Sequence, residues 1–151
     1  MQDLNELKKL VGYCGIYCGG CGMYRGRIIT KVAADLRELI EAHHYPDWVP
    51  QHGGIDFNFT EFQKGLEYFT KETSGCFCQV PCKEGGGNPW CKIRGCAEER
   101  GVEICFACSD YPCELMAQFL EGYPEMPEEC RRFKELGMEE WIKTHEKKAE
   151  K

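Results

Sequence analysis

Eight of the chain's twelve cysteines lie within the 38 residues from Cys76 to Cys113, a stretch that contains no leucine. Its other large apolar residues are two isoleucines, two valines, two phenylalanines and one tryptophan, and the run 85–87 of three glycines adds backbone entropy that folding must overcome. Burial alone therefore cannot fold this stretch. Eight thiols are the number that two closed four-cysteine sites need, and a structural zinc site contributes on the order of 10 kcal/mol at neutral pH. The sequence predicts that bound metal replaces a hydrophobic core here.

Whether these thiols bind metal or form disulfides depends on the redox compartment. The opening residues, Met1 to Glu6, carry neither the basic nor the apolar segment of a secretory signal, which predicts a cytoplasmic protein. Because thiols are kept reduced in the cytoplasm, closely spaced cysteines indicate metal ligands. The chain has no run of about 18 apolar residues, so we expect no membrane partner.

The cysteine spacings are typical of metal ligands. Cys105 and Cys108 form a CxxC pair whose sulfurs reach one metal from a tight turn, and Cys91 and Cys96 suit one metal around a short helical turn. Three thiols near the N-terminus have a CxxxCxxC spacing, which leaves one coordination position open. Which cysteines share a metal stays open, and no catalytic or other cofactor-binding residue is predicted. The predicted metal ligands are Cys14, Cys18, Cys21, Cys76, Cys78, Cys82, Cys91, Cys96, Cys105, Cys108 and Cys113.

Zinc is the metal that the sequence favours, at about two to three ions per chain, because the clustered cysteines supply two full sites and one partial site. An iron–sulfur cluster is the alternative, although the ferredoxin run of closely spaced cysteines followed by Cys-Pro is missing. The N-terminal spacing also resembles that of radical enzymes that cleave S-adenosylmethionine, but those need a larger barrel and this chain has no βαβ pattern. As fourth ligand of the N-terminal thiols we expect first Cys76, Cys78 or Cys82, with His52, Cys130 or water as alternatives.

The net charge bears on the partners. It is −6 by count, and each zinc held by four thiolates would add a further −2. A nucleic-acid partner would then meet no basic face, which usually supplies most of the affinity. The charge therefore favours a protein or small-molecule partner.

Apolar periodicity predicts helices outside the cysteine clusters. From Ile28 to Ile40, apolar residues recur at every fourth position, and Thr60 with Gln63 forms a capping box at the start of a second helix. Gly137 divides the last helical segment in two. Cys130 lies in that segment and is expected to pack as a small hydrophobe. We expect a mostly α-helical single domain, 1–151, whose irregular loops are held together by metal; a small α+β fold is the alternative. The predicted metal-binding segments are 13–24 and 75–114. The predicted helical segments are 26–44, 59–73 and 112–147.

Two stretches of this chain resemble a known family. One runs from Tyr13 to Cys21 and carries the CxxxCxxC spacing, and the other runs from Cys91 to Cys113 with five cysteines. In this order, separated by a helical insert, they resemble the cysteine-rich domain of unknown function 3795. In that family a Cys-x-Gly-Cys-like pair precedes the second stretch, and the cysteines at 76, 78 and 82 depart from that spacing. The resemblance implies metal binding and no established reaction.

Two functions remain open from the sequence. The first is a structural zinc-binding module for protein interaction or scaffolding, with closed and inert sites. The second is a metalloprotein, with zinc or iron–sulfur, that carries out redox or ligand chemistry at the open position of Cys14, Cys18 and Cys21. The sequence assigns no enzyme activity.

Overall fold

The computed structural model describes residues 3–52 and 54–149, with side chains described as far as residue 146. This part of the chain forms seven α-helices and no strand, joined by irregular cysteine-bearing loops, which confirms the prediction of a mostly α-helical protein. No helix within it is both long and apolar enough to span a lipid bilayer. The helices are α1 (Leu4–Lys9), α2 (Ile29–Ala42), α3 (Tyr45–His52), α4 (Phe59–Phe69), α5 (Lys92–Arg100), α6 (Glu114–Gly122) and α7 (Met126–Ala149).

The chain divides into two compact units. Unit 1 consists of Met1–Cys21 together with Val80–Lys151, and unit 2 is the continuous segment Gly22–Gln79 between them. Unit 1 therefore holds α1 and α5 to α7, and unit 2 holds α2 to α4. The expectation of a single domain stays a prediction.

The core of unit 1 is built around aromatic residues. The side chains of Trp141 and Phe106 are fully buried, with their ring centroids 6.2 Å apart in an edge-to-face arrangement. Ile104, Ile142 and Val11 are also buried in this core, and Cys130 packs with them at 4% exposure. The prediction that Cys130 behaves as a small hydrophobe is confirmed.

Helix α7 is long but interrupted. Gly137 has a φ of 73° and a ψ of 167°, outside the helical range, so the segment consists of two helices that meet at a kink, as the sequence predicts. On the first of these, the carboxylate of Glu129 is buried and accepts a hydrogen bond from Trp141 Nε1 at 3.0 Å. Arg132 lies 2.8 Å from the same carboxylate. The buried charge is therefore both paired and hydrogen-bonded, which burial of a carboxylate requires.

Unit 2 confirms two predicted helices and corrects their details. Helix α4 begins at Asn58, whose side-chain oxygen accepts a hydrogen bond from the Glu61 N–H at 3.0 Å, so the predicted capping box at Thr60 is wrong. Helix α2 buries Ala33 and Ile40, whereas Val32 in the predicted apolar row is 56% exposed. A row with a step of four residues turns by about 40° at each step, so it cannot keep to one face. Residues seven apart, such as 33 and 40, do share a face.

Candidate metal centre

All eleven predicted ligands are half-buried. Nine of them belong to unit 1, and Cys76 and Cys78 belong to unit 2. Eight thiols of unit 1 fall into two groups: four line one cavity, and the other four are linked by electrostatic interactions with one another or with Lys83. We call Cys96, Cys105, Cys108 and Cys113 the cavity set, and Cys14, Cys18, Cys82 and Cys91 the loop set.

The cavity set surrounds one cavity of about 200 Å³, which all four of its cysteines line. Much of the remaining lining is apolar and includes Val102, Leu115 and Met116. Arg100, Tyr111 and Glu114 also reach the cavity. Four thiols thus face a common space in a segment where the sequence predicted metal instead of an apolar core.

Short local elements position the cavity set. The residues Cys105–Ala107 form one turn of 3-10 helix, in which the Cys108 N–H donates to the Cys105 carbonyl at 3.0 Å. Cys113 occupies the N-cap position of α6, and Cys96 lies within α5. The CxxC turn, the start of one helix and the middle of another therefore converge on the cavity.

Cys91 and Cys96 belong to different sets, although the sequence suggested that they share a metal. Cys91 is the N-cap residue of α5 and Cys96 lies five positions later. Of the two, Cys96 is the one that lines the cavity. Whether they share a metal stays a prediction.

The loop set joins the two segments of unit 1. Burial raises the pKa of the Cys14 thiol to about 11, and negative charge on Cys82 and Cys91 acts in the same direction. A Cβ atom built on Gly12 would lie 3.8 Å from Cys82 Sγ, which places the N-terminal backbone against that thiol. Burial lowers the pKa of Lys83, whereas Glu103, Cys82 and Cys18 favour its charged form. Negative charge on Cys18 and on Cys82 therefore acts on the same ammonium group.

The two sets lie close enough to interact. Burial raises the pKa of the Cys105 thiol to about 12, and negative charge on Cys14, Cys113 and Cys108 raises it further. The Cys105 N–H donates to the Tyr13 carbonyl at 2.7 Å, which holds the N-terminal loop beside the CxxC turn. Thiolates this close repel one another, so a cation between them is what would stabilise the deprotonated forms.

Two arginines contact residues of the two cysteine sets. Arg94 donates from Nη1 to the carbonyls of Cys82 at 3.1 Å and Gly86 at 2.8 Å, and thereby fixes the glycine-rich loop that carries Cys82. Arg100 Nη1 lies 3.6 Å from Cys108 Sγ and 2.5 Å from Asp110 Oδ2. No local sequence pattern indicated that Arg94 binds backbone carbonyls.

The remaining predicted ligands lie outside the two sets. Cys21 ends the turn that begins at Cys18, whose carbonyl accepts its N–H at 3.0 Å. In unit 2, the Cys78 N–H donates to the Met23 carbonyl at 2.9 Å, while Cys76 lies two residues earlier. His52 is exposed at the end of α3. The ligand duties of these residues stay predictions.

The donor chemistry of both sets suits a thiophilic metal, since each set offers four sulfurs. Within residues 3–52 and 54–149, however, no three side chains among His, Cys, Asp and Glu converge closely enough to hold a metal ion as they stand. Metal binding and the assignment of ligands therefore stay predictions.

Comparison with known proteins gives a family for the chain. No curated protein and no solved structure matches it. The family described as "Protein of unknown function (DUF3795)" matches residues 10–118, which include all eleven clustered cysteines and leave out Cys130. Since the match covers well over half of the chain, this cysteine-rich protein belongs to the DUF3795 family.

Proposed function

We propose that this chain is a metal-binding protein in which thiolate-bound metal holds unit 1 together, and that it serves as a protein-interaction or scaffold module. Zinc is the metal that the sequence favours, and we expect thiolate-bound metal at both the cavity set and the loop set. The metal is mainly structural in this proposal. No enzymatic step is assigned to it.

The observation that carries the proposal is the convergence of Cys96, Cys105, Cys108 and Cys113 on one cavity. Around them, hydrophobic burial is sparse: between residues 80 and 113 the buried apolar side chains are those of Pro81, Ala97, Ile104 and Phe106. Each ordered residue costs backbone entropy of about 1–2 kcal/mol, which four buried side chains cannot offset over this length. A structural zinc site contributes on the order of 10 kcal/mol.

The interaction part of the proposal is supported by exposed apolar side chains. Trp90 is 84% exposed in the loop before α5. In unit 2, Ile28 at the N-cap of α2 and Val32 and Leu39 within α2 are each at least half exposed. Large exposed apolar groups that lie together are typical of protein-binding surfaces.

Metal analysis combined with proteolysis tests this proposal. We expect purified protein to contain metal in at least stoichiometric amounts, and a chelator that removes it should make residues 80–113 sensitive to protease. Cys108→Ser should show the same sensitivity, because it removes a ligand of the cavity set. Cys130→Ser is the matched control, since it changes a cysteine outside both sets.

Metal-free protein that resists protease as well as the untreated sample would refute the proposal. Equal protease sensitivity of Cys108→Ser and Cys130→Ser would refute the assignment of Cys108 as a ligand.

A further inference from the structure

We propose that the cavity set binds an iron–sulfur cluster of the [4Fe–4S] type instead of a single zinc ion. This inference rests on the proposed function, because it assigns a particular group to thiols that the proposed function already makes metal ligands. The loop set is not part of it.

The size of the cavity is the first observation. Its volume is about 200 Å³, whereas roughly 10–15 Å³ of such space is enough to admit one water molecule. A zinc ion in a closed four-cysteine site leaves no space between its ligands, since each sulfur lies about 2.3 Å from the metal. A space more than ten times that needed by a water can hold a group of several atoms.

The spread of the thiols is the second observation. Four sulfurs on one tetrahedral zinc would lie about 3.8 Å from one another, a separation that follows from the zinc–sulfur bond length of about 2.3 Å. In the part of the chain that the structure describes, three such donors do not come together at one point. The four cysteines instead stand around the cavity wall. In a [4Fe–4S] cluster each thiolate binds a different iron, so its four cysteines surround the cluster instead of meeting at one atom, as the four cysteines of the cavity set line this cavity.

The chemistry of the wall is the third observation. Apart from the four sulfurs, it is formed largely by apolar side chains such as Val102 and Met116, the latter 1% exposed. An apolar surrounding limits the access of water to a bound cluster, and thiolate sulfur is its usual ligand. On binding, each thiol releases one proton to solvent and forms one iron–sulfur bond, so a core of charge +2 with four thiolates has a net charge of −2.

Arg100 is placed to stabilise that charge. Its Nη1 lies 3.6 Å from Cys108 Sγ, and the side chain is fixed by Asp110 at 2.5 Å. A hydrogen bond and a positive charge beside a ligand sulfur favour the reduced, more negative form of a cluster. Arg100 is therefore a positioning and charge-compensating residue of the cavity set, not a ligand.

Anaerobic purification of the full chain tests the inference. We expect a brown protein with about four iron and four acid-labile sulfide per cavity set, and an electron paramagnetic resonance signal after reduction with dithionite. Cys113→Ala should lose this iron and sulfide. Cys130→Ala, which also removes one cysteine from unit 1, should retain them.

A second pair of variants keeps the test independent of folding. Arg100→Gln should keep its iron and sulfide but shift the reduction midpoint to a more negative potential, whereas Arg131→Gln, an exposed change on α7, should leave the midpoint unchanged. An equal midpoint in both variants would overturn the role of Arg100.

The two proposals fail in different ways. A colourless protein that contains zinc, and loses one zinc in Cys113→Ala but not in Cys130→Ala, would overturn the cluster and leave the proposed function standing. Both proposals would be overturned by a protein that contains neither zinc nor iron as purified and that also fails to bind added metal. The added metal is zinc in one experiment, and iron with sulfide under anaerobic conditions in another.

Discussion

Replacement of Gly15 by alanine tests how the N-terminal cysteine loop is attached to the core. Gly15 has a φ of +93°, and a Cβ atom at this position would stand 2.2 Å from Cζ of Phe106. The Phe106 ring is fully buried and contacts the rings of Tyr111, Phe133 and Trp141, at centroid distances of 5.6 to 6.2 Å. Because the ring is enclosed on these sides, it cannot move away without disturbing the core.

Two costs add up at Gly15. The left-handed backbone costs alanine about 1–2 kcal/mol, and displacement of a packed side chain costs about 1–3 kcal/mol more. Gly85 has the same φ of +93° but has no atom within 4 Å of its Cβ position, so Gly85→Ala isolates the backbone cost. We expect Gly15→Ala to lose about 2–5 kcal/mol of unfolding free energy, and Gly85→Ala about 1–2 kcal/mol.

Thermal denaturation at a fixed metal content measures both variants. A loss of 1 kcal/mol lowers the Tm of a protein of this length by about 2–4 °C, so the Tm of Gly15→Ala should lie roughly 2–12 °C below that of Gly85→Ala. Equal Tm values would show that the contact of Phe106 with the loop adds nothing to stability. The attachment of Cys14 to the core through this loop would then have to be abandoned.

Three further outcomes follow from local contacts. Asn58→Ala should cost about 1 kcal/mol, because it removes the N-cap of α4, and loss of amide-exchange protection in the first turn of that helix measures it. Ile142→Ala should cost about 2–5 kcal/mol, since the side chain is fully buried, whereas Leu136→Ala at 43% exposure should cost well under 2 kcal/mol; urea denaturation compares the two. Burial and the neighbouring Cys130 raise the pKa of Tyr111 to about 12. The Tyr111 phenol should therefore leave the free energy of unfolding unchanged below pH about 10. Between pH about 10 and 12 it should lower that free energy, because the phenol ionises there only in the unfolded protein. Absorbance titration of wild type and of Tyr111→Phe checks this.

Local sequence patterns were sufficient to predict several structural elements. The spacing of Cys105 and Cys108 predicted a tight turn, and the structure has one turn of 3-10 helix there. Gly137 was predicted to divide the last helix, and its φ of 73° does so. In both cases the determining contacts lie within a few residues, so a single sequence carries the information.

Other features depend on contacts between distant residues. Negative charge on Cys82 and Cys91 acts on Cys14, and the Cys105 N–H donates to the carbonyl of Tyr13 next to it, although these residues lie far apart in the sequence. No local spacing encodes that hydrogen bond. Helices α1 and α3 were also missed, and of α5 only a short helical turn between Cys91 and Cys96 was predicted. Helix α1 has six residues, α3 contains Pro50, and α5 has a polar sequence, so none shows a clear apolar period.

The chain order of the two cysteine sets has a consequence for the order in which they assemble. The longest gap between successive members of the cavity set is the nine positions from Cys96 to Cys105, whereas the loop set must close the 64 positions from Cys18 to Cys82, which include all of unit 2. By loop-closure entropy the longer gap costs about 1.7 kcal/mol more. During synthesis, Cys14 and Cys18 leave the ribosome long before their partners exist. When metal is scarce, the first equivalent should therefore be captured by the cavity set, and occupancy of the loop set should follow the completion of unit 1.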